Sequence, residues 1–228
     1  MRKSKCTAIL ASGSPRRREL FGLLGLDFQV VPAEVEETPF PGEAAADYVL
    51  RMAVNKASWV HERQEEGQYE YCHTGREGSR LVLAADTTVV CEGRIMGKPG
   101  DEAEAEEMLR RLRGRTHQVF SGIAAGKNEK LITDLCVTDV PMRYYSDQEI
   151  NVYVASKDPL DKAGAYAIQH AGFHPVENLR GCFANVMGLP LCHVARAFGK
   201  LGVGLSFDVP AACQKHIDYE CPIFETML

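Results

Sequence analysis

The residues able to do chemistry in this chain sit where apolar runs give way to glycine, proline or charge. Ser14, Pro15, Arg16 and Arg17 follow the apolar run at 7–12 and open a stretch with leucine and phenylalanine at helical spacing. Ser14 is placed to cap that helix and Pro15 to start it, so backbone N–H groups and the positive end of the dipole face out of the loop. Such a loop suits phosphate. Arg16 and Arg17 stand in the first turn, where cations oppose the dipole, which makes sense if an anion binds; a capped helix with solvated arginines is the bland alternative.

Asp86 ends the apolar run LVLAAD at 81–86, and Thr87 and Thr88 follow it. A carboxylate at the carboxyl end of a buried strand stands where α/β sheets place ligands, and it suits a cation such as Mg²⁺. An aspartate that caps the next turn would read the same way. Lys56, on the flank of an amphipathic helix, and Lys98, in the turn GKP, are able to approach that carboxylate, and each also reads as a surface charge. Glu36 and Glu37 form an acidic pair in VPAEVEETP; one of them would complete an oxygen-ligand set for a hard cation, with surface acidity as the alternative. In DKAGAYAIQ, at 161–169, Gly164 and Ala165 permit close backbone approach and Gln169 offers a donor and an acceptor for a base edge. A glycine-containing core strand would look alike.

Other chemistries are excluded. GKPGDE lacks the GxxxxGK[ST] of a P-loop, no GxSxG marks a serine hydrolase, and Cys213, His216 and Cys221 have zinc-like spacing without a fourth ligand nearby.

Positioning these residues falls to alternating strands and helices. The periodicity predicts a strand at 7–12, a helix after Pro15, a strand at 28–32 and a helix over about 44–63 whose Tyr48, Val49, Met52, Ala53, Ala57 and Val60 share one face. Residues 64–79 have no period and read as an exposed insertion. Two short strands follow Asp86 around Glu92 and Gly93. Asp101 with Glu104, and Ser146 with Glu149, read as capping boxes opening two further helices. A long hairpin is expected around the polar turn 126–129, and a final helix over about 191–201. The tail beyond has no clear period.

With 228 residues, 45% apolar and 25% charged, the chain can bury a substantial core. Its net charge of −5 excludes a general attraction to nucleic acid polymers or membranes, so anionic ligands must be gathered by locally placed cations. No apolar run reaches the roughly 20 residues of a membrane span, and the one after MRKSKC is too short for a signal peptide. Eight cysteines scattered along the chain fit reduced thiols in a cytoplasm.

Taken together, LASGSPRRRELF, VEE, AADTTVV, GKP, LRGRTHQVFSG, DKAGAYAIQ and NVMGLP, in that order from Ile9 to Phe198, resemble the Maf family. The resemblance implies an α/β fold of the inosine-triphosphatase-like (Maf/Ham1) type: a long curved mixed sheet with flanking helices forming two lobes around a central cleft. It implies a domain over 1–204, a tail of unknown role over 205–228, and often a homodimer. The implied activity is hydrolysis of a nucleoside triphosphate to monophosphate and diphosphate with a divalent metal cation (Mg, Mn or Co). Asp86 matches the catalytic carboxylate, and Glu36, Lys56 and Lys98 match positions around phosphate and metal. Arg16, Thr87 and Gln169 match positions tied to pyrimidine selection, favouring dTTP and UTP, with modified pyrimidine nucleotides in the same range, over 7-methyl-GTP. Where the family commonly has IQG, this chain has Ile168, Gln169 and His170. The competing reading is a nucleotide-binding regulator of septum formation and cell division without significant turnover.

Overall fold

The computed structural model describes residues 8–65, 81–206 and 208–226. The opening MRKSK segment, and the insertion read at 64–79 beyond Glu65, lie outside them. The framework is a mixed sheet in the order β2-β1-β3-β5-β6, flanked by helices, which is the α/β class expected. β1 (Ala8–Leu10) pairs in parallel with β2 (Phe28–Val30) and with β3 (Leu81–Cys91). β4 (Arg94–Met96) folds back on β3, and the hairpin of β5 (Thr116–Lys127) and β6 (Lys130–Pro141) completes the sheet antiparallel.

β3 corrects one expectation. It does not end at Asp86 but runs on to Cys91, because the whole stretch stays paired with β5, Asp86 opposite Gly122 and Thr87 opposite Ser121. What ends near Asp86 is the neighbour on the other edge. β1 pairs with β3 only through Leu83, and β4 joins only from Val89, so the 84–88 stretch is left without a strand partner there. The chain after β1 turns away into α1 (Pro15–Gly22), and a site opens in the gap.

Strand alternation then sorts the side chains. Val82 and Ala84 pack with Ala53, Ala57 and Val60 of α2 (Ala45–Glu65), and Asp86, next in that series, faces the same helix. Leu83, Ala85 and Val89 face the larger core with Leu20, Phe21 and Phe198, and Thr87 follows them. α2 lies very close to the sheet. A Cβ at Gly122 would stand 2.5 Å from the Val49 carbonyl oxygen, so only glycine lets strand and helix backbones meet there.

The remaining helices are α3 (Glu102–Leu112), α4 (Asp147–Ala155), α5 (Phe183–Met187), α6 (Leu191–Lys200) and α7 (Val209–Ile217). Ser146 and Glu149 form a complete capping box on α4. At α3 Asp101 caps the Glu104 N–H, but the Glu104 carboxylate reaches Gly100 N–H at 2.7 Å, one residue short of the reciprocal bond. The passage 161–169 begins in 3₁₀ turns at Asp158–Asp161 and Ala163–Ala165, with Gly164 in the left-handed region. α7 was missed by periodicity, although Asp208 caps it and Pro210 sits in its first turn.

Two histidines are buried in this framework. His117 Nε2 lies 2.7 Å from the Tyr166 hydroxyl and its Nδ1 has no partner, and burial pushes its pKa down to about 4. Burial does the same to His193. Below the ordinary histidine pKa of about 6.5 the unfolded chain gains protons that the native state refuses, so stability falls as pH drops from there toward 4. The expected loss from His117 is on the order of 3 kcal/mol by pH 4. Denaturant unfolding at stepped pH checks it: His117→Gln should flatten the slope, and an unchanged slope would show that the ring already protonates in the fold.

Candidate active site

The gap beside β3 opens into a cavity of about 320 Å³. Of the residues singled out in the sequence, Ser14, Arg16, Arg17, Lys56, Asp86, Thr87, Lys98 and Gln169 all line it. Glu36 does not. It is exposed and its carboxylate takes the Thr38 hydroxyl, while Glu37, the other member of the acidic pair, enters the cavity wall. In the loop after β2 it is therefore Glu37, not Glu36, whose side chain reaches the cavity, so Glu37 is the member of the pair within reach of a cation there.

Lys56 is the centre of the arrangement. It is 5% exposed, on the buried side of α2 rather than its flank, and its ammonium lies 2.6 Å from Asp86 Oδ1 and 2.5 Å from Glu37 Oε1. One cation thus holds two carboxylates from different elements. Burial acts to raise the Glu37 pKa, but the hydrogen bond from Lys56 and the charges of Lys56, Lys98 and Arg17 outweigh it and hold the carboxyl below its ordinary value. Tyr48 donates its hydroxyl to the Glu37 carbonyl at 3.0 Å and fixes that loop to α2. Desolvation, with Asp86 and Glu37 nearby, pushes the Tyr48 pKa up to about 12, so it stays a neutral donor.

On the opposite wall Ser14 caps α1 by accepting the Arg17 N–H, and Pro15 opens the helix. Arg17 is a clamp. Its Nε donates to the Gly188 carbonyl at 2.9 Å and its Nη2 to the Thr87 hydroxyl at 3.1 Å, while Nη1 reaches Ser12 at 3.4 Å. Burial lowers its pKa and Asp86 and Glu37 oppose that, yet a guanidinium stays charged. Thr87 is also 2.8 Å from Ser121, so α1, β3, β5 and the turn after α5 are tied together at the cavity floor.

Lys162 also lines the cavity, a residue passed over within DKAGAYAIQ although the motif contained it. Its buried ammonium is held by the Asp158 carbonyl and by Asp158 and Asp161 carboxylates at 3.0 and 2.6 Å. The lining therefore carries five cations, Arg16, Arg17, Lys56, Lys98 and Lys162, against the carboxylates of Glu37, Asp86 and Asp161. In a chain of net charge −5 this is a local positive site, built for an anion.

Among the described residues no cluster of three or more His, Cys, Asp or Glu could hold a metal alone. The donor set still fits a hard cation of the Mg²⁺ type, which is bound through one or two carboxylates and completes its shell with water and substrate phosphate oxygens. Glu37 and Asp86 are the two carboxylates that Lys56 brings together on this lining. No helix among the described residues is long and apolar enough to cross a membrane.

Comparison with known proteins identifies relatives of the chain. The family model described as "Maf-like protein" matches residues 7–201. A dTTP/UTP pyrophosphatase of Geotalea uraniireducens (strain Rf4) is 43% identical over 204 residues, covering 89% of this chain and 98% of its own length. Proteins of the same name from Bacillus cytotoxicus and Geobacter sulfurreducens are also 43% identical, over 87% and 85% of this chain. The Ham1 protein of Staphylococcus aureus aligns with 59% of the chain at 15% identity and a TM-score of 0.36, too slight a likeness to carry an argument. With a family match that takes in every cavity-lining residue, and relatives this similar over nearly their full length, the chain belongs to the Maf family.

Proposed function

We propose that this chain hydrolyses nucleoside triphosphates between the α and β phosphates, dTTP and UTP foremost, releasing the monophosphate and pyrophosphate. The observation that carries the reading is Lys56, buried between Asp86 and Glu37, across a cavity from the capped N-terminus of α1. The relatives' names supply the substrate class.

The positive N-terminal end of α1, with Arg16 and Lys98, binds and orients the polyphosphate, and these fixed charges offset the negative charge that builds up as the bond to pyrophosphate breaks. Arg17 holds Thr87 and the 188 turn in register rather than reaching freely into the cavity. Lys56 keeps both carboxylates turned inward. Asp86 takes the proton of the attacking water, and no side-chain nucleophile is needed. A divalent cation held by Asp86 and Glu37, when bound, supplies positive charge to the phosphate oxygens and to that water. Gln169, also in the lining, reads the base edge through its amide donor and acceptor. Work on the cell's own nucleotides fits a cytoplasmic setting, and the six described cysteines are free thiols, as a reducing compartment keeps them.

A panel of canonical and methylated triphosphates, assayed with metal and resolved by chromatography, tests the proposal. Monophosphate plus pyrophosphate from UTP and dTTP ahead of purines is expected. Orthophosphate would mark a general phosphatase, binding without products a nucleotide-sensing regulator, and a purine preference would overturn the assigned selectivity. Lys98 makes a separate check. It is exposed on the cavity rim, so Lys98→Ala should lower kcat/KM about tenfold, the scale of one charge-assisted contact, while leaving the melting temperature unchanged. An unaltered kcat/KM would make Lys98 an ordinary surface charge.

A further inference from the structure

Five of the six described cysteines gather where the C-terminal segment meets α5. Cys182, Cys192, Cys213 and Cys221 line a single gap of about 10 Å³, room for one water at most, and Cys136 of β6 interacts with Cys182. Cys213 and Cys221 lie beyond the 7–201 stretch that matches the family, so that match does not account for the cluster. Among the described residues no three His, Cys, Asp or Glu side chains are placed to hold a metal, which leaves chemistry between pairs of thiols.

One pair is set up for it. The Tyr219 hydroxyl lies within 3.1 Å of the Leu179 and Gly181 carbonyl oxygens and accepts the Gly181 N–H, and its ring sits 5.5 Å from that of Phe183. The Gln214 side-chain carbonyl then accepts the Cys221 N–H at 2.8 Å. These contacts fall on the residues either side of Cys182 and hold the chain just past Tyr219 against them, so the Cys182 and Cys221 thiols interact directly. Cys136 is the rival partner. It is 3% exposed and stands in a strand paired on to β5, opposite Ser121, so its backbone has little freedom to reach disulfide geometry. Cys221 is half-buried and outside any helix or strand, so a reagent meets it first and its chain can adjust.

We propose that Cys182 and Cys221 are a disulfide site, which fastens the 208–226 segment to the start of α5 under oxidising conditions. The oxidant is a low-molecular-weight disulfide of the glutathione type. The Cys221 thiolate attacks one of its sulfurs and expels a thiolate, and the Cys182 thiolate then attacks the Cys221 sulfur and expels the second. Two protein thiols lose two protons and two electrons, and the oxidant leaves as two thiols. Cys136 beside Cys182, and Cys182 beside Cys221, push each pKa up, and burial adds to both, so thiolate is scarce at neutral pH and the bond forms slowly, faster as pH rises. Cys182 caps α5 by accepting the Asn185 N–H at 3.3 Å, and Gly188 at the other end of that helix holds Arg17, so the bond braces the floor of the active cavity. Closing a loop of about 40 residues restricts the unfolded chain and should raise the melting temperature by roughly 5–15 °C.

The full chain and its Cys221→Ser variant are incubated with glutathione disulfide at mildly alkaline pH, blocked with N-ethylmaleimide and digested without reductant. Mass spectrometry should find the Cys182 and Cys221 peptides of the wild type joined within one chain, the melting temperature should rise, and dithiothreitol should reverse both. Cys221→Ser should show neither change. Thiols that all stay free, a bond to Cys136, Cys192 or Cys213 instead, a bond between two chains, or a joined pair whose melting temperature does not rise each overturns the proposal. Should Cys221→Ser not fold, the wild-type peptide map and the melts with and without dithiothreitol decide alone. None of these readouts depends on the triphosphate reading of the neighbouring cavity.

Discussion

Asp86→Asn is expected to fold normally and to lose turnover by a factor of roughly 100 or more, the usual contribution of a general base. The side chain is nearly isosteric, and the amide oxygen can still accept from Lys56, so the packing between β3 and α2 survives. What disappears is a basic oxygen for the water's proton and an anionic ligand for a cation. Metal titration divides these roles. A defect that persists at saturating Mg²⁺ belongs to proton transfer, whereas recovery at high Mg²⁺ assigns Asp86 mainly to holding the ion. Pyrophosphate release at wild-type rates would remove Asp86 from the mechanism.

Lys56→Ala should have the second large effect, on stability and activity together. Lys56 and Asp86 expose only 7% and 9% of their side chains, and removing one partner of a buried ion pair costs about 3–5 kcal/mol. Glu37, whose side chain is 45% exposed, recovers part of its hydration, which places the expected loss toward the lower end. Mg²⁺ should raise the melting temperature of this variant more than that of the wild type, because two carboxylates would then face the ion without a competing ammonium. A wild-type melt without metal, together with intact turnover, would show that the Lys56 ammonium is effectively solvated and the buried arrangement incidental.

Much of this site was legible because its parts announce themselves locally. Ser14-Pro15 is a helix start in any context, and the arginines after it are misplaced for a helix that binds nothing. Ser146 and Glu149 likewise name their own helix. Features that depend on a distant neighbour were not legible. Asp86 looked like a strand end, since nothing in LVLAADTTVVC shows that β5 continues beside it while β1 departs. Lys56 looked like a flank residue, because its burial is set by carboxylates 19 and 30 positions away in the chain. The choice between Glu36 and Glu37 turned on the phase of an irregular loop, which no periodicity specifies. α7 went unread for a different reason: its apolar residues are mostly small and the helix has only 9 residues, too few to display a period, so only the Asp208 cap and Pro210 mark it.

The bare contact at Gly122 bears on which parts of this molecule can breathe. Where backbone rests on backbone there is no cushion of side chains to slide, and the small shear motions that packed helices permit elsewhere are blocked between α2 and β5. Lys56 and Asp86 therefore form the stationary jaw of the cleft. Any rearrangement that follows nucleotide entry or frees pyrophosphate has to spare the Lys56–Asp86 pair and fall on other parts of the lining.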